Sequence, residues 1–164
     1  VKKEGPEAGA VLAGGEERHR RAVEERIRGQ GLEACVRLAG ERPMSDMPAF
    51  LTLATVLASP RVRGTNTALK LYGYMQTGRP IVATRLETHT QVLDESCAWL
   101  TRATPEAFAA GLVQALRDSD AAAARGAESR RRVEEAYGLE RFDRQIRELY
   151  AELEPGGAPR EAEG

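Results

Sequence analysis

The chain has 164 residues, enough for one domain with a real core. Hydrophobic residues make up 41 % and charged residues 30 %, the profile of a soluble globular protein, and a formal net charge of −1 gives no bulk attraction for nucleic acid. Cys35 and Cys97 lie far apart without metal-ligand spacing and read as reduced thiols of a cytoplasmic protein; no apolar run is long enough to span a membrane, and no signal peptide is evident.

Residues 1–9 are polar and contain Gly and Pro, which predicts a frayed start. The chain begins at Val1 rather than Met and its first strand comes almost at once, which suggests a fragment of a longer protein. Ala10-Val11-Leu12-Ala13 is that strand, followed by Gly14-Gly15. Glu16 and Glu17 then open a helix at the positive end of its dipole, with Val23 and Ile27 as its buried stripe and Gly29-Gln30-Gly31 as its end. His19, one turn before Val23, reads as an exposed or packing residue rather than a catalytic one. Cys35 to Leu38 form the next strand, and Gly40-Glu41-Arg42-Pro43 the turn after it. Ser45 and Asp46 are candidate caps for a helix carrying Met47, Phe50, Leu51 and Leu53.

The segment from Thr55 to Thr84 organises the rest. Thr55-Val56-Leu57-Ala58 reads as a strand that Ser59-Pro60 ends. A polar loop, residues 61–67, follows. Ala68, Leu71, Tyr72 and Met75 then recur at helical spacing, and Gly78 and Pro80 stop that helix. Ile81-Val82-Ala83-Thr84 is a second buried strand, so the unit is a βαβ crossover between parallel strands. Thr65, Asn66 and Thr67 are each able to cap the helix. Two readings of Arg63-Gly64-Thr65-Asn66-Thr67 stand side by side. One is an ordinary capped helix. The other is an anion site, in which Gly64 lets a ligand close to the backbone and Arg63 adds a charge.

Beyond Thr84, residues 85–90 form a loop at the carboxyl end of a parallel strand, where ligands sit in open α/β sheets. His89 in this loop is either a surface residue or a ligand contact. Cys97 to Leu100 are a last strand, with Trp99 in packing. Thr104 caps and Pro105 starts a helix with Phe108, Leu112, Val113 and Leu116 on one face. Residues 121–137 are helical, with Arg130-Arg131-Arg132 on a solvated face. A final helix carries Leu139, Phe142, Ile146, Leu149, Tyr150 and Leu153. The domain is thus placed at 10–153, with residues 154–164 as a disordered tail. Alternating strands and helices predict an α/β fold, a Rossmann-like doubly wound parallel sheet.

Gly64-Thr65-Asn66-Thr67, Leu69-Lys70-Leu71-Tyr72, Tyr74-Met75 and Gly78-Arg79-Pro80-Ile81-Val82-Ala83-Thr84, continued by Thr88-His89-Thr90-Gln91-Val92-Leu93, resemble the signature region of group 1 glycosyltransferases. The match is specific over about thirty residues of the signature and weaker but collinear from Val11 to Leu153. The resemblance implies the C-terminal, donor-binding half of a retaining GT-B enzyme. Its donor substrate would be a nucleoside diphosphate sugar, with no cofactor and no metal. Arg63, Lys70 and the amides of residues 65–67 are then the candidates for stabilising the departing diphosphate, although Lys70 is equally able to point to solvent.

Residue by residue, the resemblance carries several positions into the donor site. Gly14 and Gly15 match a glycine-rich loop beside the donor. Gly40 and Arg42 match a loop near the nucleotide base. Gly64, Thr65, Asn66 and Thr67 match the loop before the helix, and His89 a contact to the donor sugar or phosphate. The chain also departs from the pattern. A Glu that holds the ribose hydroxyls in the family falls on Gly73, and an earlier family Glu falls near Thr65. The resemblance further implies that the family's N-terminal acceptor domain, and the first strand and loop of its C-terminal domain, lie outside this sequence. The chain alone is therefore expected to be inactive, and any peripheral membrane contact is assigned to that missing partner domain. Two alternatives remain open: a non-catalytic sugar-nucleotide-binding module, for which Gly73 speaks, and a GT-B-fold sugar-nucleotide epimerase, against which the signature match speaks.

Overall fold

The computed structural model describes residues 8–153, so the expectations for residues 1–7 and 154–164 lie outside the described residues. The elements run β1 (Ala10–Ala13), α1 (Glu17–Gly29), β2 (Val36–Gly40), α2 (Met47–Leu53), β3 (Leu57–Ser59) and α3 (Lys70–Gln76). They continue with β4 (Ile81–Thr84), α4 (Glu87–Thr90), β5 (Trp99–Thr101), α5 (Pro105–Arg117), α6 (Ser119–Tyr137) and α7 (Leu139–Leu153). All strand pairs are parallel: β1 with β2, and β3–β4–β5 in that order.

The centre of the molecule is β4. Its four residues, Ile81-Val82-Ala83-Thr84, are all buried, as a strand covered on both faces must be. Side chains alternate across a strand, and the packing follows that alternation. Ile81 and Ala83 join Leu71 and Met75 of α3, Val133 of α6, and Leu93 and Cys97 in one apolar cluster. Val82 joins Trp99, Ala115 of α5 and Ala122, with Phe108 and Leu112 packed beside them. Burying one such Leu, Ile or Met side chain contributes about 1.5–3 kcal/mol. Helices on both faces make the fold α/β and doubly wound, as the periodicity predicts.

The sheet itself is divided. The strands form two blocks, β1–β2 and β3–β4–β5, and no ladder joins them among the described residues. β2 uses one edge of β1, and every residue of β1 is exposed, Val11 by 59 %. The α1 stripe is correspondingly shallow: Ile27 is half-buried and Val23 exposed. Several boundaries also move. β2 starts one residue late, and β3 and β5 begin two residues after the expected Thr55 and Cys97. Local apolar runs mark a strand, but its ends are set by which residues find a parallel partner.

Thr104 caps α5 as expected, accepting from the Ala107 amide at 3.3 Å. The Arg130-Arg131-Arg132 run is not wholly solvated. Arg130 and Arg131 pair with acidic neighbours on α6, whereas Arg132 reaches Asp94 at 2.8 Å and holds that carboxyl down to about 2. The apolar residues of α7, Phe142, Ile146, Leu149, Tyr150 and Leu153, recur on one helical face and are exposed.

The turn after α3 and helix α6 approach closely because Gly126 of α6 carries no side chain. A Cβ on Gly126 would lie 2.0 Å from the Gly78 carbonyl oxygen. Gly126→Ala should therefore cost about 1–3 kcal/mol or more in urea unfolding through overpacking. Gly73→Ala is the control: its Cβ would meet only Leu51, at 3.6 Å, so removing the helix-interior Gly should stabilise by about 0.5–1 kcal/mol. A neutral Gly126→Ala would show that the two segments are not held this close.

Candidate functional site

The carboxyl ends of β3 and β4 are joined by one buried imidazole. His89 stands on α4, not in an open loop, and is 0 % exposed. Its Nδ1 lies 2.7 Å from the Thr84 carbonyl oxygen, which only accepts, so Nδ1 carries the proton and donates. Nε2 then accepts from the Ser59 hydroxyl at 2.8 Å. Ser59 ends β3 and Thr84 ends β4, so the ring ties two strand ends to α4. Neither ring nitrogen is left to reach a ligand. This differs from both sequence readings of His89, because an imidazole able to satisfy both nitrogens inside the protein is cheaper to bury than an unpaired one.

The loop 61–68 lies over this network and is strapped to it. The Thr84 hydroxyl donates to the Arg61 carbonyl at 2.6 Å. The Arg61 guanidinium donates to the Thr88 hydroxyl at 2.9 Å and to the Asn66 carbonyl at 3.3 Å, and the Thr88 hydroxyl also bonds the Asn66 carbonyl. Gln91 Nε2 donates to the Thr65 carbonyl at 3.1 Å, and Gln91 Oε1 accepts from the Thr67 hydroxyl. The Ala68 amide completes the strap with a 3.2 Å bond to the Thr88 carbonyl. Gly64 turns the loop at φ 127°, a backbone region that favours glycine.

These bonds explain why the expected caps are not used. α3 begins at Lys70 with Leu69 at its N-cap position and no side-chain cap. The Thr67 hydroxyl is engaged by Gln91 instead. Lys70, placed one turn into the helix by the sequence reading, is its first residue. It is exposed, and its ammonium sits 5.5 Å from the Tyr74 ring centroid. Surrounding protein and, secondarily, the Arg61 charge push the Lys70 pKa down. Arg63 is exposed in the same loop. Arg61, Arg63 and Lys70 thus gather positive charge around residues 64–67. Arg61, Ser59, Thr84, Thr88 and Gln91 escaped the sequence reading as site residues. Their signal was the density of hydroxyl and amide side chains just beyond two apolar strands.

The other expected residues collect elsewhere. A cavity of about 370 Å³ is lined by Gly15, Glu17, Arg20, Gly40 and Arg42, among others, at the carboxyl ends of β1 and β2. Gly14 and Gly15 turn away from β1 at φ 92° and 94°, and the Gly14 amide donates to the Gly40 carbonyl at 2.7 Å. Arg42 Nε is held by the Ala39 carbonyl at 2.9 Å. Gly73 belongs to neither group: it faces Leu51 of α2, on the side of α3 opposite the buried Leu71 and Met75. Among the described residues no group of three or more His, Cys, Asp or Glu side chains is placed to hold a metal, and no helix is long and apolar enough to cross a membrane.

Residues 1–118 match the family model of the Glycosyl transferases group 1. The chain belongs to this family. It has the fold of the C-terminal half of GT-B glycosyltransferases. HepE from Anabaena, solved in complex with UDP, is similar at 19 % identity with a TM-score of 0.79; the match covers 90 % of this chain and 42 % of HepE. Sucrose-phosphate synthase from Thermosynechococcus elongatus is similar at 21 % identity with a TM-score of 0.74, over 87 % of this chain and 38 % of that one. The C-terminal domain of the group 1 family protein LpcC from Francisella tularensis matches at 11 % identity and a TM-score of 0.68, over 84 % of this chain and 90 % of that domain. The glycosyltransferase domain thus spans about two-fifths of the first two structures. A comparison with curated proteins finds no significant match.

The imidazole carries a pH signature. Burial pushes the His89 pKa down from 6.5, the Lys70 and Arg61 charges add to this, and the bond to the Thr84 carbonyl opposes it. The unfolded chain therefore takes up this proton before the folded one. The stability that His89 contributes is fully present above about pH 6.5 and is lost as pH falls through the lower folded pKa. The urea midpoint should fall between about pH 7 and pH 5, and should fall less in His89→Gln. Equal falls in both proteins would remove His89 as the source.

Proposed function

We propose that the domain binds a nucleoside diphosphate sugar and serves its transfer to an acceptor with retained anomeric configuration. The observation that carries this reading is the loop 64–67, strapped from below and ringed by Arg61, Arg63 and Lys70. When the bond between the anomeric carbon and the diphosphate breaks, negative charge builds on the leaving group. Fixed cations and amides aimed at that position stabilise it. Gly15, Gly40 and Arg42 would hold the nucleoside end in the cavity at the ends of β1 and β2, with Gly14 beside it, and His89 would support the loop from beneath. HepE has been solved with UDP and with UDP-glucose, which makes UDP the natural probe.

The rest of a GT-B enzyme would supply the acceptor side. The exposed apolar face of α7 would then pack on that N-terminal domain, and this chain alone would not turn over. A second reading has its own observation. Gly73 stands where the family carries the ribose-binding Glu, so the domain would bind a nucleotide without catalysing transfer.

Titration of this chain with UDP should shift the backbone amides of residues 64–67, with affinity falling as salt rises because exposed charges are screened. Shifts elsewhere, with these amides unmoved at saturation, would put the diphosphate in another place. Gly73→Glu should restore a ribose acceptor and raise affinity for a ribonucleoside diphosphate by about tenfold, as a charge-assisted hydrogen bond allows. A 2′,3′-dideoxy nucleotide should not share the gain. Equal affinities in parent and variant would refute the ribose assignment at position 73.

A further inference from the structure

We infer that Gln91 and Thr88 are positioning residues that turn two consecutive loop amides, those of Asn66 and Thr67, outward to receive the diphosphate. This rests on the donor-binding reading above.

The peptide bonds here are trans, so a residue's carbonyl and the next residue's N–H point in opposite directions. The Thr65 carbonyl is drawn inward by Gln91, which turns the Asn66 N–H away from Gln91. The Asn66 carbonyl is drawn inward by Thr88 and Arg61, which turns the Thr67 N–H the same way. Among the described residues no acceptor meets either amide. Thr65 and Asn66 are exposed, so the outward side of the loop faces solvent. Successive amides pointing to one side form an anion-binding concavity.

Gln91 suits this role because its side chain both donates and accepts. Nε2 must face the Thr65 carbonyl, since two carbonyl oxygens would repel, and this leaves Oε1 for the Thr67 hydroxyl. One amide group therefore clamps both ends of the three-residue span 65–67. Thr88 works from a buried position, while Gln91 is exposed, so Gln91 can be replaced without opening the core. Gln91→Leu removes both bonds. Gln91→Glu keeps the shape and sets an acceptor against the Thr65 carbonyl. Thr88→Val should have a smaller effect, because Arg61 still holds the Asn66 carbonyl, and Thr88→Ser should restore it.

The test titrates this chain and its variants with UDP and with uridine 5′-monophosphate, following backbone amide shifts and the thermal midpoint. In Gln91→Leu, UDP affinity should fall by about tenfold or more, the strength of hydrogen bonds to a charged group, while uridine monophosphate affinity falls less. The Asn66 and Thr67 amides should also lose their response to UDP, with the thermal midpoint little changed. A purely structural role would weaken both ligands alike. An unchanged ratio of the two affinities, or Asn66 and Thr67 amides that still respond fully to UDP, would overturn the inference while leaving donor binding intact. A parent chain that does not respond to UDP at all would remove the donor-binding reading and the positioning role together.

Discussion

The His89 imidazole holds the carboxyl ends of β3 and β4 to α4 through two hydrogen bonds of 2.8 and 2.7 Å, to Ser59 and to the Thr84 carbonyl. The rest of the candidate site rests on this tie. α4 carries Thr88, Gln91 follows it, and both reach up to the loop. Thr84 adds a third support through the Arg61 carbonyl. A buried polar network of this kind is costly when half-satisfied and rigid when complete. Here the imidazole is complete, and the loop inherits its position from it.

The network is affordable only because it sits at the end of the best-packed strand in the molecule. β4 is covered by α3 and α6 on one face and by α5 on the other, with no exposed residue. The block made of β1, β2 and α1 has no comparable core, and β1 is exposed along its length. The two groups of expected donor contacts therefore stand on unequal supports. The loop 61–68 is fixed by side chains from a rigid scaffold, while the cavity beside Gly15 and Gly40 is lined by a shallow pair of strands.

Membership of the group 1 family sets the frame, and Gly73 is the position where the signature resemblance expects a Glu. Position 73 lies on the face of α3 away from the sheet, against Leu51 of α2. A side chain there would meet ordinary van der Waals contact, so the glycine is not demanded by packing. By contrast, Gly126 is demanded by packing, because a Cβ there would run into the Gly78 backbone, and Gly78 is favoured by its φ of 65°. The needs of the fold therefore do not account for the glycine at 73.

The amino-acid sequence by itself determined the alternation of strands and helices, the burial of Ile81 to Thr84, the cap at Thr104 and the family. Each follows from local periodicity, from turn chemistry, or from a motif that occupies consecutive positions. The same local reading placed α3 two residues early and left His89 in an open loop, because nothing near residue 89 announces partners at positions 59 and 84. Which way the Thr65 and Asn66 carbonyls turn is decided by Gln91, Thr88 and Arg61, whose side chains meet the loop only once β3, β4 and α4 have packed. The break between β1–β2 and β3–β4–β5 is likewise a tertiary fact. Every strand is legible from its own residues, but pairing depends on which edges come within hydrogen-bond reach, and that is a property of the assembled fold.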